Sequence, residues 1–133
     1  MIENGSRSQD SPIGVLICDD VASMRVLLGI IVEVRTGLRV VGEARNGDQA
    51  ISAAERLQPD VVLLDLSMPV RTGFDALPEI KRVAPEAKVI VFSGFSTSMI
   101  ADDVLAHGAD RYIEKGVHPD VIADMIEEVV QPT

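Results

Sequence analysis

Three apolar stretches in this chain are short, unbroken and end at a polar or acidic side chain. Ile13-Gly14-Val15-Leu16-Ile17-Cys18 runs into Asp19 and Asp20, Val61-Val62-Leu63-Leu64 into Asp65, and Val89-Ile90-Val91-Phe92 into Ser93. A strand with no polar alternation is covered on both faces, which is the situation of a parallel sheet between two helical layers. The stretches between them have helical spacing. Val21, Met24, Leu27, Leu28, Ile31 and Val34 mark a first helix, and Ala50, Ile51, Ala54 and Leu57 a second within Gly47 to Leu57. Phe74 to Val83 gives a third, with Pro78 near its first turn, and Thr97 to Ala106 a weaker fourth that stops at His107-Gly108. Pro119 to Val130 gives a fifth, with proline at its first position. Leu38 to Val41 and Arg111 to Glu114 complete the strands, and the fourth strand is expected over Lys88 to Phe92. Five strand–helix units predict an α/β chain: a single doubly wound (βα)5 domain, a five-stranded parallel sheet with right-handed crossovers. The domain is expected over residues 13–130, after a disordered leader at 1–12 and before a short tail at 131–133.

At 133 residues the chain is long enough for one real core. Its net charge of −9 makes it repel nucleic-acid phosphates and anionic lipid, and with 3% aromatics it has no base-stacking platform. Neither nucleic acid nor membrane is therefore an expected direct partner. One cysteine excludes a disulfide framework and fits a reducing compartment, so a cytoplasmic location is expected. No apolar run approaches the roughly 18 residues of a membrane span.

In an open parallel sheet, ligands bind beyond the carboxyl ends of the strands. The residues there are Asp19 and Asp20 after the first strand, Asp65 at the third, Ser93 after the fourth and Lys115 after the fifth. Three converging carboxylates repel one another unless cations intervene. Lys115 supplies one positive charge, and a hard divalent ion such as Mg²⁺, held by oxygen ligands, supplies the rest. The same cations can compensate a phosphoryl group carried on Asp65.

Taken singly, these residues have commoner uses. An acid pair favours a helix N-terminus, a serine ends many turns, and a lysine is usually a solvated surface charge. An acid closing a fully apolar strand is the odd one, and the set together favours a site. Cys18 reads as a buried strand residue. His107 and His118 read as helix-end residues rather than ligands.

These residues carry a family resemblance. Asp19-Asp20, the run Asp65-Leu66-Ser67-Met68-Pro69-Val70-Arg71-Thr72-Gly73, Ser93-Gly94 and Tyr112-Ile113-Glu114-Lys115 occur in order at strand ends. Together they resemble the receiver domain of two-component response regulators, over roughly Ile13 to Val130. The resemblance implies the flavodoxin-like strand order 2-1-3-4-5. It implies phosphorylation of Asp65 by a sensor histidine kinase or phosphotransfer protein. Mg²⁺ would be bound by Asp19, Asp20, Asp65 and the Ser67 backbone carbonyl. Ser93 and Lys115 would contact the phosphoryl group, and Tyr112 would follow Ser93 as the switch residue. The surface of the fourth helix, fifth strand and fifth helix would then address an output protein or linked output domain, or form a phosphorylation-dependent dimer. Gly116 stands where many receivers carry a proline after the lysine, so a trans, more mobile loop is expected. Non-proline residues there, and Val41-Gly42-Glu43-Ala44, resemble the LuxR/NarL-type subgroup. Both a stand-alone regulator and the receiver part of a DNA-binding regulator are compatible. Phe95, two residues after Ser93, lies where access of hydrolytic water is set in this family, and its bulk would slow dephosphorylation.

The competing readings are weaker. A haloacid-dehalogenase-type phosphatase needs a second acid two residues after the nucleophile, where Ser67 stands, and a substrate cap. A nucleotide or flavin binder needs a Gly-rich loop after the first strand, where two acids stand instead. A non-phosphorylated docking scaffold would have no need of the full acid set and Lys115.

Overall fold

The computed structural model describes residues 11–94 and 98–131. The elements alternate: β1 (Ile13–Cys18), α1 (Ala22–Glu33), β2 (Leu38–Ala44), α2 (Gly47–Leu57), β3 (Val61–Asp65), α3 (Gly73–Val83), β4 (Lys88–Ser93), α4 (Ser98–Ala106), β5 (Arg111–Glu114) and α5 (Pro119–Val129). All strand pairs are parallel and the sheet order is β2-β1-β3-β4-β5, the expected flavodoxin-like order. The leader expected at 1–12 falls largely on residues 1–10, and these lie outside the described residues, as do Phe95, the start of the expected fourth helix at Thr97, and the tail residues 132–133.

Two apolar layers explain the unbroken strands. Val15, Ile17, Leu63, Ile90, Phe92 and Ile113 point to one face, against Leu28, Ile31 and Val32 of α1 and Ala123, Ile126 and Val129 of α5. Leu16, Cys18, Val62, Leu64, Val89 and Val91 point to the other, against α2, α3 and Val104 of α4. Successive strand residues alternate between faces, so every position of β1, β3 and the interior of β4 meets a helix.

The structure departs from the periodicity at two places. β2 continues past Val41 to Ala44, because the β1–β2 ladder shifts register between Val15 and Leu16 and then resumes through Gly42 and Glu43. In α1 the buried face is Leu28, Ile31 and Val32, while Val21, Leu27 and Val34 are exposed at 49%, 47% and 75%. Pro78 lies inside α3, which continues through it to Val83.

Side chains fix the helix starts. Asn46 accepts from Gln49 N at 2.8 Å at α2, Thr72 accepts from Asp75 N at 3.1 Å at α3, and His118 Nδ1 accepts from Asp120 N at 3.1 Å at α5. At the far end of the sheet from the strand carboxyl termini, Asp110 Oδ2 accepts from Val89 N (2.8 Å) and from Lys81 Nζ (3.1 Å), tying α3 and β4 to the α4–β5 loop.

Candidate functional site

The register builds the site. Cys18 pairs with Leu64, so Asp19 emerges level with Asp65. Asp65 pairs with Phe92, and Ser93 with Glu114, which sets Ser93 and Lys115 just beyond them on the same rim. The Lys115 N–H donates to the Ser93 carbonyl at 2.8 Å and carries the ladder one residue further.

Asp19, Asp20 and Asp65 each bring a carboxylate oxygen within 4.8 Å of the others. Their environments differ. Asp19 is fully buried and Asp65 is 2% exposed, whereas Asp20 faces solvent. Asp19 is held at each polar atom but one: its N–H donates to Ala44 O (3.0 Å), its carbonyl accepts from Arg25 Nη1 (2.7 Å), and Oδ1 accepts from Val21 N (2.8 Å). Its Oδ2 is buried without an aligned hydrogen bond. The Lys115 ammonium lies 3.1 Å from that oxygen and 3.4 Å from Asp65 Oδ1, and 5.1 Å from the centre of the Phe92 ring.

Burial pushes the Asp65 carboxyl above the ordinary aspartate value, and the Asp19 charge adds to this. The Ser67 N–H, donating to Asp65 Oδ1 at 3.2 Å, and Lys115 pull the other way. Burial, with the Asp19 and Asp65 charges, pushes the Cys18 thiol up, so it keeps its proton and packs as a small apolar group.

The donor set is oxygen only, one buried carboxylate oxygen lacks an aligned hydrogen bond, and the carboxylates outnumber the one lysine between them. That combination fits a hard divalent cation such as Mg²⁺.

The loop after β3 is tightly built. A Cβ on Gly73 would overlap the Asp65 carbonyl oxygen, so α3 starts against the backbone of Asp65 itself. Met68 is buried beneath the loop. At its tip the Arg71 N–H donates to Pro69 O (2.7 Å) across Val70, a γ-turn with φ +67°, and Val70 is 83% exposed. A β-branched residue at positive φ is strained. Gly116, after Lys115, has φ +98°, a conformation closed to proline, and no peptide bond among the described residues is cis. The trans connection expected at this loop is therefore present, with a backbone reason for glycine.

Ser93 is buried at the end of β4. Tyr112, the register partner of Val91, is half-buried against the layer that includes α4. His107 Nδ1 sits 2.7 Å from Asp103 O at the end of α4 and His118 caps α5, so neither joins the acid cluster. Sequence reasoning treated Asp19 and Asp20 as equivalent, passed over Arg25 and gave Glu43 no role at the site. Nothing in the spacing shows that Arg25 folds back over the start of its own helix.

Residues 15–127 match the family model described as response regulator receiver domain. The chain is 36% identical over 115 residues to the chemotaxis protein CheY of Thermotoga maritima, covering 86% of this chain and 95% of that one. It is 34% identical over 113 residues to the nitrate/nitrite response regulator NarL of Escherichia coli, covering 85% of this chain but 52% of the relative, so it spans about half of that protein. In structure it is similar to the CheX–CheY–BeF₃–Mg²⁺ complex of Borrelia burgdorferi, with a TM-score of 0.86, 26% identity and 92% of each chain covered. No helix among the described residues is long and apolar enough to cross a membrane. With the five-unit fold, the acid cluster and the lysine beside it, these matches place the chain in the response regulator receiver domain family of two-component signalling.

Proposed function

We propose that this domain is a phosphorylation-operated switch with Asp65 as phosphoacceptor. The observation that carries the reading is the meeting of three carboxylates within 4.8 Å at the strand ends, with Lys115 between Asp19 and Asp65. In the transfer, an Asp65 carboxylate oxygen forms a bond to phosphorus as the donor's nitrogen–phosphorus bond breaks. Asp19, Asp20, Asp65 and the Ser67 carbonyl would hold Mg²⁺, which supplies compensation for charge on the transferring group. Lys115 adds a fixed cation at the same place. Asp65 is thus the acceptor, Lys115 a charge partner and Ser93 a hydroxyl donor to the phosphoryl oxygens. The domain works as a switch rather than an enzyme with its own substrate.

The phosphodonor is a sensor histidine kinase or phosphotransfer protein. Its docking is served by α1, where Val26, Leu27 and Ile30 stand exposed at 62%, 47% and 58%, with the C-cap Val34 at 75%, on a helix that begins at the site rim. The response is a population shift: phosphoryl contacts draw the Ser93 hydroxyl inward, Tyr112 turns, and the α4-β5-α5 surface changes what it binds. That surface addresses an output protein, an output domain or a second receiver. NarL extends well beyond the matched region and CheY does not, so relatives of both architectures use a receiver of this kind.

Incubation with acetyl phosphate and Mg²⁺ should add one phosphoryl mass to the peptide that contains Asp65. The same adduct at full yield in Asp65→Asn, or none in the unaltered chain, overturns the reading.

A further inference from the structure

The geometry points to Arg25 as the positioning residue of the acid cluster, acting through the backbone of Asp19. The inference rests on the reading of Asp19, Asp20 and Asp65 as a metal-assisted phosphoacceptor site. Arg25 lies in the first turn of α1, where the N-cap Val21 gives no side-chain cap and no acid is present. A cation there opposes the helix dipole, so the placement is locally unfavourable. Yet the side chain is only 13% exposed and is committed at both ends: Nη1 donates to the Asp19 carbonyl at 2.7 Å, and Nε to Glu43 Oε1 at 3.1 Å. Glu43 belongs to the part of β2 that extends beyond the register shift. The edge strand therefore aims the guanidinium, and the guanidinium fixes the peptide between Asp19 and Asp20.

That peptide decides where both carboxylates point. The Asp19 N–H and Oδ1 are bonded within the strand end and turn, so its carbonyl is the remaining backbone handle by which the pair is held. Without Arg25 the Asp19 carbonyl loses its side-chain donor, and the peptide that leads to Asp20 is held less firmly. Groups that orient metal ligands typically change metal affinity about 10- to 100-fold when removed.

The test uses the full chain and Mg²⁺ alone, by isothermal titration calorimetry and by the rise in melting temperature on adding Mg²⁺. Arg25→Ala is expected to bind Mg²⁺ about tenfold more weakly or worse, and to show a smaller Mg²⁺-dependent rise. Its acetyl phosphate reaction should slow at limiting Mg²⁺ and recover as Mg²⁺ saturates. Arg25→Lys, which keeps one donor, should recover part of the affinity, and Glu43→Gln should lose part of it. These two milder variants keep the question open to measurement should the alanine variant fold poorly. Unchanged Mg²⁺ affinity in all three, with melting lowered equally in chelator and in Mg²⁺, overturns the inference and leaves Arg25 a structural tie. Absence of Mg²⁺ binding by the unaltered chain instead overturns the site reading on which it rests.

Discussion

Replacing Asp65 by asparagine should make the metal-free domain more stable at neutral pH, although it removes the residue proposed to carry the function. The buried Asp65 carboxylate shares the rim with Asp19 at no more than 4.8 Å, and two such charges repel by about 3 kcal/mol at an effective dielectric of about 20. Lys115, at 3.4 Å, and the Ser67 N–H offset much of that, but the carboxyl is still held above its ordinary value, so burial and repulsion win. The sign follows from linkage. The folded chain keeps this proton to higher pH than the unfolded chain, so its stabilising effect is full below the unfolded value and disappears as pH rises through the folded one. Above that, the ionised site is a net cost, and removing it should gain on the order of 1 kcal/mol, or about 3 to 6 °C in melting temperature for a domain of this size. Melting curves in chelator from about pH 4 to about pH 8 should show the two proteins nearly equal at the acid end, with the variant pulling ahead as pH rises. Adding Mg²⁺ at about 100 times its dissociation constant should return about 2.7 kcal/mol to the unaltered chain and less to the variant, closing or reversing the gap. A variant that is less stable at neutral pH in chelator, by an amount independent of pH, would show that the Asp65 charge is net stabilising and refute the reasoning.

Gly73→Ala should destabilise the domain by about 2 kcal/mol or more in urea melts and slow labelling by acetyl phosphate, because the new methyl must displace the Asp65 backbone. Asp110→Ala should cost about 2 kcal/mol by the same assay, since it leaves the Val89 N–H without its acceptor and Lys81 without its ion-pair partner. Val70→Gly should instead stabilise by about 1 kcal/mol, because glycine accepts φ +67° without strain; an unchanged or lower urea midpoint would show that the γ-turn holds no excess energy.

How far the sequence could be read depended on whether the determining contact was local. Val61 to Leu64 needs cover on both faces wherever it sits, so the sheet and its two layers followed from composition along each strand. Asp19, Asp65, Ser93 and Lys115 were legible because a strand's end fixes a residue's place on the rim. The extension of β2 was not, since Gly42 and Glu43 pair only after a register shift imposed by β1. The helical spacing gave α1 but not its buried face, because that helix is apolar nearly all round: Val32 is buried, while Val21, Leu27 and Val34, which fit the spacing, are exposed. The unequal burial of Asp19 and Asp20 depends on turn geometry that no pattern of residue types encodes.

The seat of Lys115 against both buried acids carries a further consequence under the proposed function. The resting domain already owns a counter-ion, tethered to the last sheet strand, and an incoming divalent ion must compete with it. Occupancy by metal is then set by how readily an amine lets go as much as by how well three oxygens hold on. Neutralising that amine would tighten the grip on metal while blunting the reaction the metal assists, so tight binding and fast signalling pull against each other in this rim.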